Sequence, residues 1–445
     1  MARLLVATVP LTGHVNPMVL LVRQLIERGH DVRWYGGARF ASTITATGAA
    51  FTPMRAAVDW DDRDVERAFP ALRGTRGLRR VKAQIREMFI RPMGDQLRDL
   101  EALAGEVAPD AIVADAAHLG AAAFAEQHGV PWAGLGISAL MIPSRDTAPF
   151  GPGFPPAPGR SGRLRNRIMY WLVNRVLFRD VHRAYLHARV AAGLPAGTAT
   201  YFDVLSPQLF LQPTVPSFEY PRGDLPPQVH FIGPLVPREM PGPDALPPWW
   251  GDVADARRRG IPVVLVTQGT LATDPRELIR PTLRALAEER VLVVATTALT
   301  VGLGHELPAN ARVASFVPYQ SLLPRVSVMV TNGGYGGVQM ALAHGVPLVV
   351  AGASEEKPEV AARVAWSGTG RDLRTGRPAP ATLRAAVRAV LDDPRYRERA
   401  REIADEMARH DAAVEGAALI ERLVASRAPV LRDAPPEQPA EERAA

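Results

Sequence analysis

The chain has 445 residues, a formal net charge of +6 and no cysteine. The lack of cysteine excludes disulfide bonds and cysteine-ligated metals and agrees with a reducing cytoplasm. The basic residues are dispersed arginines with few aromatics among them, whereas nucleic-acid binding favours a clustered basic face. No apolar run is long enough to cross a bilayer. We therefore expect a cytoplasmic protein of two or three domains, without nucleic-acid binding or stable membrane insertion.

Strand and helix signals alternate in the first third of the chain. Strands are predicted over residues 4–9, 31–35, 50–53, 111–114 and 131–135. Helices are predicted over residues 17–28, 81–103 and 119–128. This alternation predicts a parallel sheet with helices on both faces and the strand order 3-2-1-4-5.

Two segments that follow have a different composition. Residues 146–162 are rich in proline and glycine and predict a loop. Residues 163–191 predict a helix in which Leu164, Ile168 and Trp171 stand among arginines. Such a helix could lie on a membrane surface, but packing against its own domain is the more common arrangement and is the one expected here.

The second half repeats the alternating pattern after a proline-rich break. Residues 237–261 are predicted to be an irregular interdomain linker because prolines interrupt regular structure. Strands are then predicted over residues 263–267, 291–295, 313–316, 328–331 and 348–350. The predicted fold class is α/β, with two doubly wound, Rossmann-like domains facing a cleft, over residues 1–236 and 262–408. A helix over residues 409–426 is expected to pack toward the first domain, and residues 427–445 to be disordered.

His14 and Asp115 are the candidate catalytic pair. In a doubly wound sheet, ligands bind beyond the carboxyl ends of the strands where the strand order reverses. His14 follows the first strand and Asp115 ends the fourth, so the topology places both in one crevice. A helix expected to begin near Pro17, with Asn16 as its cap, disfavours an imidazolium, and a neutral ring accepts a proton. Asp115 would then orient the ring. The alternative is that His14 only caps a helix and Asp115 only ends a strand, without a catalytic role. His118 is expected only to start a helix.

A glycine-rich loop in the second half is the candidate anion site. Residues 331–338 read Thr-Asn-Gly-Gly-Tyr-Gly-Gly-Val, follow an apolar strand and open a helix. Free N–H groups and the dipole at a helix start favour an anion, and a diphosphate is the expected guest. The spacing matches neither the dinucleotide fingerprint nor the P-loop. Gly269 and Thr270 are expected to approach the same phosphates, unless Thr270 is a simple turn residue.

Three motifs together carry a resemblance to a known family. They are Gly-His-Val-Asn-Pro at residues 13–17, Phe-Val-Pro at residues 316–318, and the stretch from Thr-Asn-Gly-Gly at residue 331 to Gly-Val-Pro at residue 345. With them, the chain resembles a family 1 glycosyltransferase of the two-domain GT-B fold, of the bacterial kind that decorates macrolides and other natural products. The resemblance implies an inverting transfer from a UDP- or dTDP-sugar to a hydroxyl of a small lipophilic acceptor, without metal or other cofactor.

The resemblance also implies roles for individual residues. His14 matches the general base and Asp115 its carboxylate partner. Phe316 matches an aromatic that stacks on the pyrimidine, and Val317 a backbone contact to the base edge. The remaining donor contacts that we expect are Gly13, Thr270, Asn332, Gly334, Tyr335, Gly336, Gly337, Gln339, Glu356 and Lys357. Loops around residues 69–89 and 137–171 are expected to bind the acceptor.

Several positions depart from the family pattern. Asn332 replaces a histidine that donates to the diphosphate. Met340 replaces a glutamate that grips the ribose, and the adjacent Gln339 is the candidate substitute. Glu356 and Lys357 replace an Asp-Gln pair that reads the sugar hydroxyls. A deoxysugar, or an altered base or ribose, is therefore compatible with this site.

Other functions stay open at the level of sequence. A metal-dependent transferase would use a D-x-D motif, and residues 59–61 have this pattern. No convincing strand precedes them, and a bound metal ion would need further oxygen ligands. A nucleotide-sugar epimerase on the same fold would use acids among residues 355–359. A partner protein without turnover would keep only the nucleotide site, and the presence of both His14 and Asp115 argues against it. A homodimer is left open.

Overall fold

The computed structural model describes residues 1–157, 159–237, 246–269, 274–297 and 307–433, and within them the chain forms two parallel sheets. The strands of the first sheet are β1 (Arg3–Ala7), β2 (Asp31–Gly36), β3 (Ala50–Pro53), β4 (Ala111–Asp115), β5 (Trp132–Leu135), β6 (Leu209–Gln212) and β7 (Val229–Phe231). Those of the second are β8 (Val263–Thr267), β9 (Leu292–Thr296), β10 (Ala311–Ala314), β11 (Val328–Thr331), β12 (Leu348–Val350) and β13 (Gly370–Asp372). The spatial orders are β3-β2-β1-β4-β5-β6-β7 and β10-β9-β8-β11-β12-β13.

Helices cover the faces of both sheets. In the first half they are α1 (Thr12–Glu27), α2 (Ala41–Thr45), α3 (Val65–Ala68), α4 (Gly77–Gln84), α5 (Met93–Val107), α6 (Leu119–His128), α7 (Gly159–Leu172) and α8 (Arg179–Ala191). In the second half they are α9 (Trp250–Arg258), α10 (Ile279–Leu286), α11 (Tyr319–Leu322), α12 (Tyr335–Ala343), α13 (Lys357–Trp366), α14 (Pro380–Asp392), α15 (Pro394–Met407) and α16 (Ala412–Ser426). Wider π-helical turns over Ile85–Ile90 and Val173–Leu177 continue α4 and α7.

These elements confirm the predicted fold class, two doubly wound α/β domains. The order of the first five strands is also as predicted. Leu4, Leu5 and Val6 of β1 are fully buried, because a strand between two helical layers has no solvent-facing side. Alternate residues of β1 therefore belong to different cores, with α1 on one face of the sheet and α5 and α6 on the other.

Several sequence-based expectations about element boundaries are wrong. Helix α1 begins at Thr12 rather than near Pro17, because the Asp62 carboxylate accepts hydrogen bonds from both N and Oγ1 of Thr12, at 2.7 Å each, and so caps an earlier start. Asn16 and Pro17 thus lie inside the helix. The strand expected at 313–316 ends at Ala314, which leaves Phe316 in a loop.

The predicted linker also contains regular structure. None was expected in residues 237–261, yet α9 lies there and buries Val253 and Ala256; residues 238–245 lie outside the described part of the chain. Residues 163–191 do pack on their own domain, through contacts such as that of Asn166 with the Arg145 carbonyl. Their apolar side chains Ile168 and Trp171 nevertheless remain 57% and 61% exposed.

The C-terminal helix α16 packs on the first domain. Ala417, Ile420 and Leu423 belong to the same apolar core as α1, and Glu421 forms ion pairs with Arg28 and His30. Beyond α16, residues 427–433 are part of the predicted disordered tail, but the structure packs them against the edge of the first sheet by two backbone hydrogen bonds. The rest of that tail, 434–445, lies outside the described residues. Within the described residues, no helix has the length and apolarity that a membrane span requires.

Candidate active site

The first sheet brings His14 and Asp115 together, 101 residues apart in sequence. His14 lies in the first turn of α1, and Asp115 is the last residue of β4. The ring Nδ1 lies 3.1 Å from Oδ1 of Asp115, which is hydrogen-bonding distance. His14 retains 8% exposure and Asp115 retains 1%, so both members of the pair are buried. Gly13, the preceding residue of the same turn, has open space where a Cβ would be.

Asp115 is held as an anion by its surroundings. Its Oδ2 accepts a hydrogen bond from the Val9 N–H at 2.7 Å, and its Oδ1 accepts one from the Ala117 N–H at 2.9 Å. Burial on its own raises the pKa of this carboxyl, but the His14 and His118 imidazoles and the Val9 amide outweigh burial and lower it. A fixed carboxylate at Nδ1 keeps a proton on that nitrogen and leaves Nε2 of His14 as the proton acceptor.

His118 lies close to this pair but has a structural role. Its Nδ1 accepts a hydrogen bond from the Ala121 N–H at 3.1 Å and so caps α6, as the sequence predicted. Its ring packs edge-on against Tyr35 at a centroid distance of 5.8 Å. Burial lowers the pKa of His118 to about 4, so the ring is neutral at pH 7.

The space around His14 is apolar and aromatic. The Phe89 ring stacks parallel to the imidazole at a centroid distance of 6.2 Å, and Trp60 and Phe69 form an edge-to-face pair in the adjoining cluster. A separate cavity in the first domain is lined mainly by apolar and aromatic side chains, among them Ile137, Met141, Ile142, Tyr201, Phe202 and Phe210. Both features lie in or beside the segments 69–89 and 137–171, where the sequence suggested acceptor binding.

The glycine-rich loop lies in the second domain, between β11 and α12. Gly333 follows β11 with a φ of +88°, and a Cβ there would lie 2.8 Å from Val350 Cγ1, so only glycine fits. Helix α12 starts at Tyr335 without a side-chain cap, so its first-turn N–H groups are available to an anion. Gly334 and Gly336 face open space, and Gly337 packs near Met329.

Asn332 and the end of β8 adjoin this loop. The Asn332 side-chain amide donates to the Gln268 carbonyl, while its Oδ1 is buried without a partner in the described part of the chain. Gly269 has a φ of +74° and lies against the Asn332 side chain. The expected donor contact Thr270 lies outside the described residues.

Two expected donor contacts face the first domain instead. The Tyr335 hydroxyl accepts a hydrogen bond from Gln212 Nε2 at 3.0 Å, and Gln339 Oε1 accepts one from Thr214 Oγ1 at 3.1 Å. Both side chains are buried, at 5% and 3% exposure. Gln339 is therefore directed away from the place where a substitute for the ribose ligand at Met340 would be needed. The side chains of Tyr335 and Gln339 join the two domains.

Phe316 and Val317 have opposite environments. Phe316 lies in the loop after β10 and is 69% exposed, which is unusual for a large aromatic and leaves its face available for stacking. Val317 is 2% exposed and belongs to the core of the second domain, so it can contact a ligand only through its backbone.

Glu356 and Lys357 lie at the start of α13, on the second-domain side of the cleft. The Lys357 ammonium pairs with Glu355, whose φ is +58°. Burial and the charge of Glu355 raise the pKa of Glu356, partly offset by Lys357 and by His14.

A buried ionic network that the sequence did not reveal joins the domains. Arg363 of α13 donates from Nε to Glu219 at 2.7 Å and from Nη1 to Glu359 at 2.9 Å. Glu359 in turn accepts the N–H groups of Gly151 and Gly153 at 2.7 and 2.8 Å. The periodicity of the sequence could not predict this network of Glu219, Glu359 and Arg363, because its contacts join residues up to 208 positions apart.

The D-x-D stretch is used within the protein. The Asp59 carboxylate accepts the Ala38 N–H at 2.9 Å, and Asp61 pairs with Arg63. The Arg63 guanidinium lowers the pKa of Asp61 to about 2. In the described residues no group of three or more His, Asp or Glu side chains is arranged to bind an ion.

Comparison with known proteins agrees with this architecture. Residues 281–423 match the family described as erythromycin biosynthesis protein CIII-like, C-terminal domain. The chain is 50% identical over 426 residues to 4'-demethylrebeccamycin synthase of Lentzea aerocolonigenes, covering 95% of this chain and 100% of that protein. It is 34% identical over 445 residues to UDP-glycosyltransferase 2 of Phaeomoniella chlamydospora, covering 95% and 96% of the two chains. The crystal structure of CalG4, the calicheamicin glycosyltransferase, has the same fold, with a TM-score of 0.73 at 24% identity over 96% of this chain and 100% of that one.

Two parallel-sheet domains around a common cleft define the GT-B class of enzyme, and similarity over the full length narrows the assignment further. This chain is a glycosyltransferase and belongs to the GT-B family that includes these natural-product enzymes.

Proposed function

We propose that this glycosyltransferase moves a sugar, with inversion, from a UDP- or dTDP-sugar to a hydroxyl of a small lipophilic acceptor such as a polyketide or a phenol. The observation that carries the proposal is the His14–Asp115 pair, with Nδ1 3.1 Å from Oδ1. The uncapped start of α12 in the second domain is proposed to face this pair across the cleft. One wall supplies a base and the other supplies amides for a departing diphosphate.

The reaction is a single displacement. Nε2 of His14 takes the proton of the acceptor hydroxyl while the oxygen forms a bond to the anomeric carbon. The bond from that carbon to the diphosphate oxygen breaks on the opposite face, and its electron pair leaves with the diphosphate. Asp115 stabilises the imidazolium that forms, and the amides around Gly334 and Gly336 stabilise the departing charge. Attack from the face opposite the leaving group inverts the anomeric configuration.

Donor recognition is proposed to use the same wall. The exposed Phe316 ring stacks on the pyrimidine, the Val317 backbone contacts the base edge, and the loop from Asn332 to Gly337 holds the diphosphate. Glu356 and Lys357 read the sugar. We propose that no metal takes part, because helix-start amides supply the positive potential that a diphosphate requires. The name of the relative from Phaeomoniella chlamydospora supports a UDP-sugar.

Acceptor recognition is proposed to be apolar. Phe89 beside His14, and the cavity lined by Ile137 and Phe202, offer aromatic surface with few polar atoms. Such a lining suits a rigid lipophilic molecule. The relative that is 50% identical is named as the synthase of 4'-demethylrebeccamycin, which supports a natural-product acceptor. The absence of cysteine fits action in a reducing cytoplasm.

The test is a transfer assay with UDP- and dTDP-sugars, a panel of phenols and polyketides, and a chelator throughout. We expect nucleotide release that requires an acceptor, and a product whose anomeric proton shows the configuration opposite to that of the donor. Isomerisation of the donor without acceptor would support an epimerase instead. Loss of all turnover in chelator, restored by added Mg²⁺, would contradict the metal-independent mechanism.

A further inference from the structure

A helix on the outside of the first domain exposes an apolar ridge among arginines. Along α7 and the π-helical turn that follows, Leu164, Ile168, Leu172 and Val176 are between 43% and 59% exposed, and Trp171 is 61% exposed. Steps of three and four residues put these side chains on one face of the helix. Neither domain covers this face, although burying it would be favourable.

The charge of the same segment has one sign. Residues 159–179 contain six arginines and no acidic residue. The charge of this segment is therefore as large as the formal net charge of the whole chain, +6. Five of these arginines form no ion pair within the described residues: Arg160, Arg165, Arg167, Arg175 and Arg179. Arg167 and Arg175 immediately precede Ile168 and Val176, so the positive ridge lies beside the apolar one.

The opposite face of the helix is firmly attached to the domain. Asn166 is fully buried and donates to the Arg145 carbonyl at 3.0 Å, and the Tyr170 hydroxyl accepts the Ser144 N–H at 3.2 Å. The ridge is therefore anchored to the first domain. The loop that contacts α7, at Ser144 and Arg145, directly follows Ile137 and Ile142, which line the apolar cavity.

From this placement we propose that the exposed face of α7 docks the enzyme on an anionic membrane surface. Apolar side chains with an aromatic and flanking arginines are what a helix lying in the headgroup region presents. A second copy of this chain is disfavoured as the occupant, because a two-fold interface would place this arginine ridge against itself. Docking brings the apolar cavity of the first domain near the bilayer, where lipophilic molecules partition. The binding itself does not depend on the proposed transfer reaction.

The test is sedimentation of the full chain with vesicles of phosphatidylcholine alone or mixed with phosphatidylglycerol. We expect binding only to the anionic vesicles, and weaker binding as salt is raised. Replacing Ile168 and Trp171 by serine should abolish the binding. Replacing Arg167 and Arg175 by glutamine should weaken it roughly 25-fold, at about fivefold for each arginine.

Matched controls separate docking from general charge and from misfolding. Arg259→Gln with Arg409→Gln removes the same charge from two exposed positions elsewhere and should leave vesicle binding unchanged. All variants should melt at the wild-type temperature, since the changed side chains are exposed. Equal binding by the wild type and both α7 variants would overturn the proposal. Failure of the wild type to bind anionic vesicles would also overturn the proposal. In that case, capture of an acidic protein, or self-association through Trp171, would assign this face to a protein partner.

Discussion

The Nε of Arg363, in the second domain, lies 2.7 Å from Oε1 of Glu219, in the first, and both side chains are buried to 1% exposure. The same guanidinium packs over the Tyr220 ring at 4.1 Å. Burial alone raises the pKa of Glu219, but the Arg363 and Arg222 guanidinium groups lower it below its usual range. This buried ion pair joins α13 of the second domain to the segment between β6 and β7 of the first domain.

Removal of Arg363 should strongly destabilise the enzyme. Arg363→Met leaves Glu219 and Glu359 buried without their cation, and the free energy of unfolding should fall by about 3–5 kcal/mol. Arg388→Ala is the matched control, because that arginine pairs with Glu289 but its side chain is 60% exposed. It should change stability by less than about 1 kcal/mol. Denaturant titration checks both, and equal effects would show that the buried network contributes nothing special.

His118 should make the fold sensitive to mild acid. Burial lowers its pKa to about 4 in the folded chain, whereas an exposed histidine has a pKa of about 6.5, so between these values the unfolded chain binds the extra proton. The contribution of His118 to the free energy of unfolding is therefore fully present above pH 6.5. It falls by on the order of 3 kcal/mol as the pH is lowered toward 4. His118→Asn keeps a side-chain acceptor for the Ala121 N–H and removes the titration. Its melting temperature should depend less on pH between 7 and 4, and an unchanged dependence would contradict this role.

Much of the fold could be predicted because parallel strands buried on both faces are continuous apolar runs. The predicted bounds of β3, β8, β11 and β12 match the structure. The strands that were missed are β6, β7 and β13. The last two are edge strands of three residues each, too short to carry a pattern. The interior strand β6 is a buried apolar run of only four residues. The start of α1 was misplaced because the capping carboxylate, Asp62, comes from a loop 50 residues away.

Only the part of the candidate site that depends on strand order within one sheet could be predicted. His14 and Asp115 meet because β1 and β4 are neighbours in the sheet. Tyr335 and Gln339 could not be placed in the same way, because their respective partners, Gln212 and Thr214, belong to the other domain. Contacts between domains depend on the orientation of the two lobes, which local sequence patterns do not encode.

Gly336 should be required for donor binding rather than for folding. It lies in the first turn of α12 with open space where a Cβ would be. Gly336→Ala should stabilise the helix slightly, but its methyl group would crowd the diphosphate and weaken nucleotide binding roughly 5- to 100-fold. Gly105→Ala, at an exposed glycine of α5 with equally open space, should give the same small stabilisation and unchanged binding. Titration calorimetry with UDP and dTDP distinguishes the two, and equal nucleotide affinity in both would remove Gly336 from the site.

Phe316 should contribute to nucleotide affinity without contributing to stability. Because its ring is 69% exposed, Phe316→Ala should leave the melting temperature unchanged. Stacking of a base on an aromatic ring is worth about 1–3 kcal/mol, so the nucleotide dissociation constant should rise roughly 5- to 100-fold. Phe316→Tyr keeps the stacking face and should retain the affinity. Loss of affinity in the tyrosine variant as well would indicate that Phe316 acts otherwise than by stacking.

The most direct measurement is the turnover of His14→Ala on two acceptors, an alcohol that must lose its proton in the reaction and a nitrophenol that is already ionised. We expect kcat on the alcohol to fall by roughly 10²–10⁴-fold, while kcat on the nitrophenol falls far less and the donor dissociation constant stays the same. Full activity on the alcohol, or an equal loss on both acceptors, would contradict the assignment of His14 as the base.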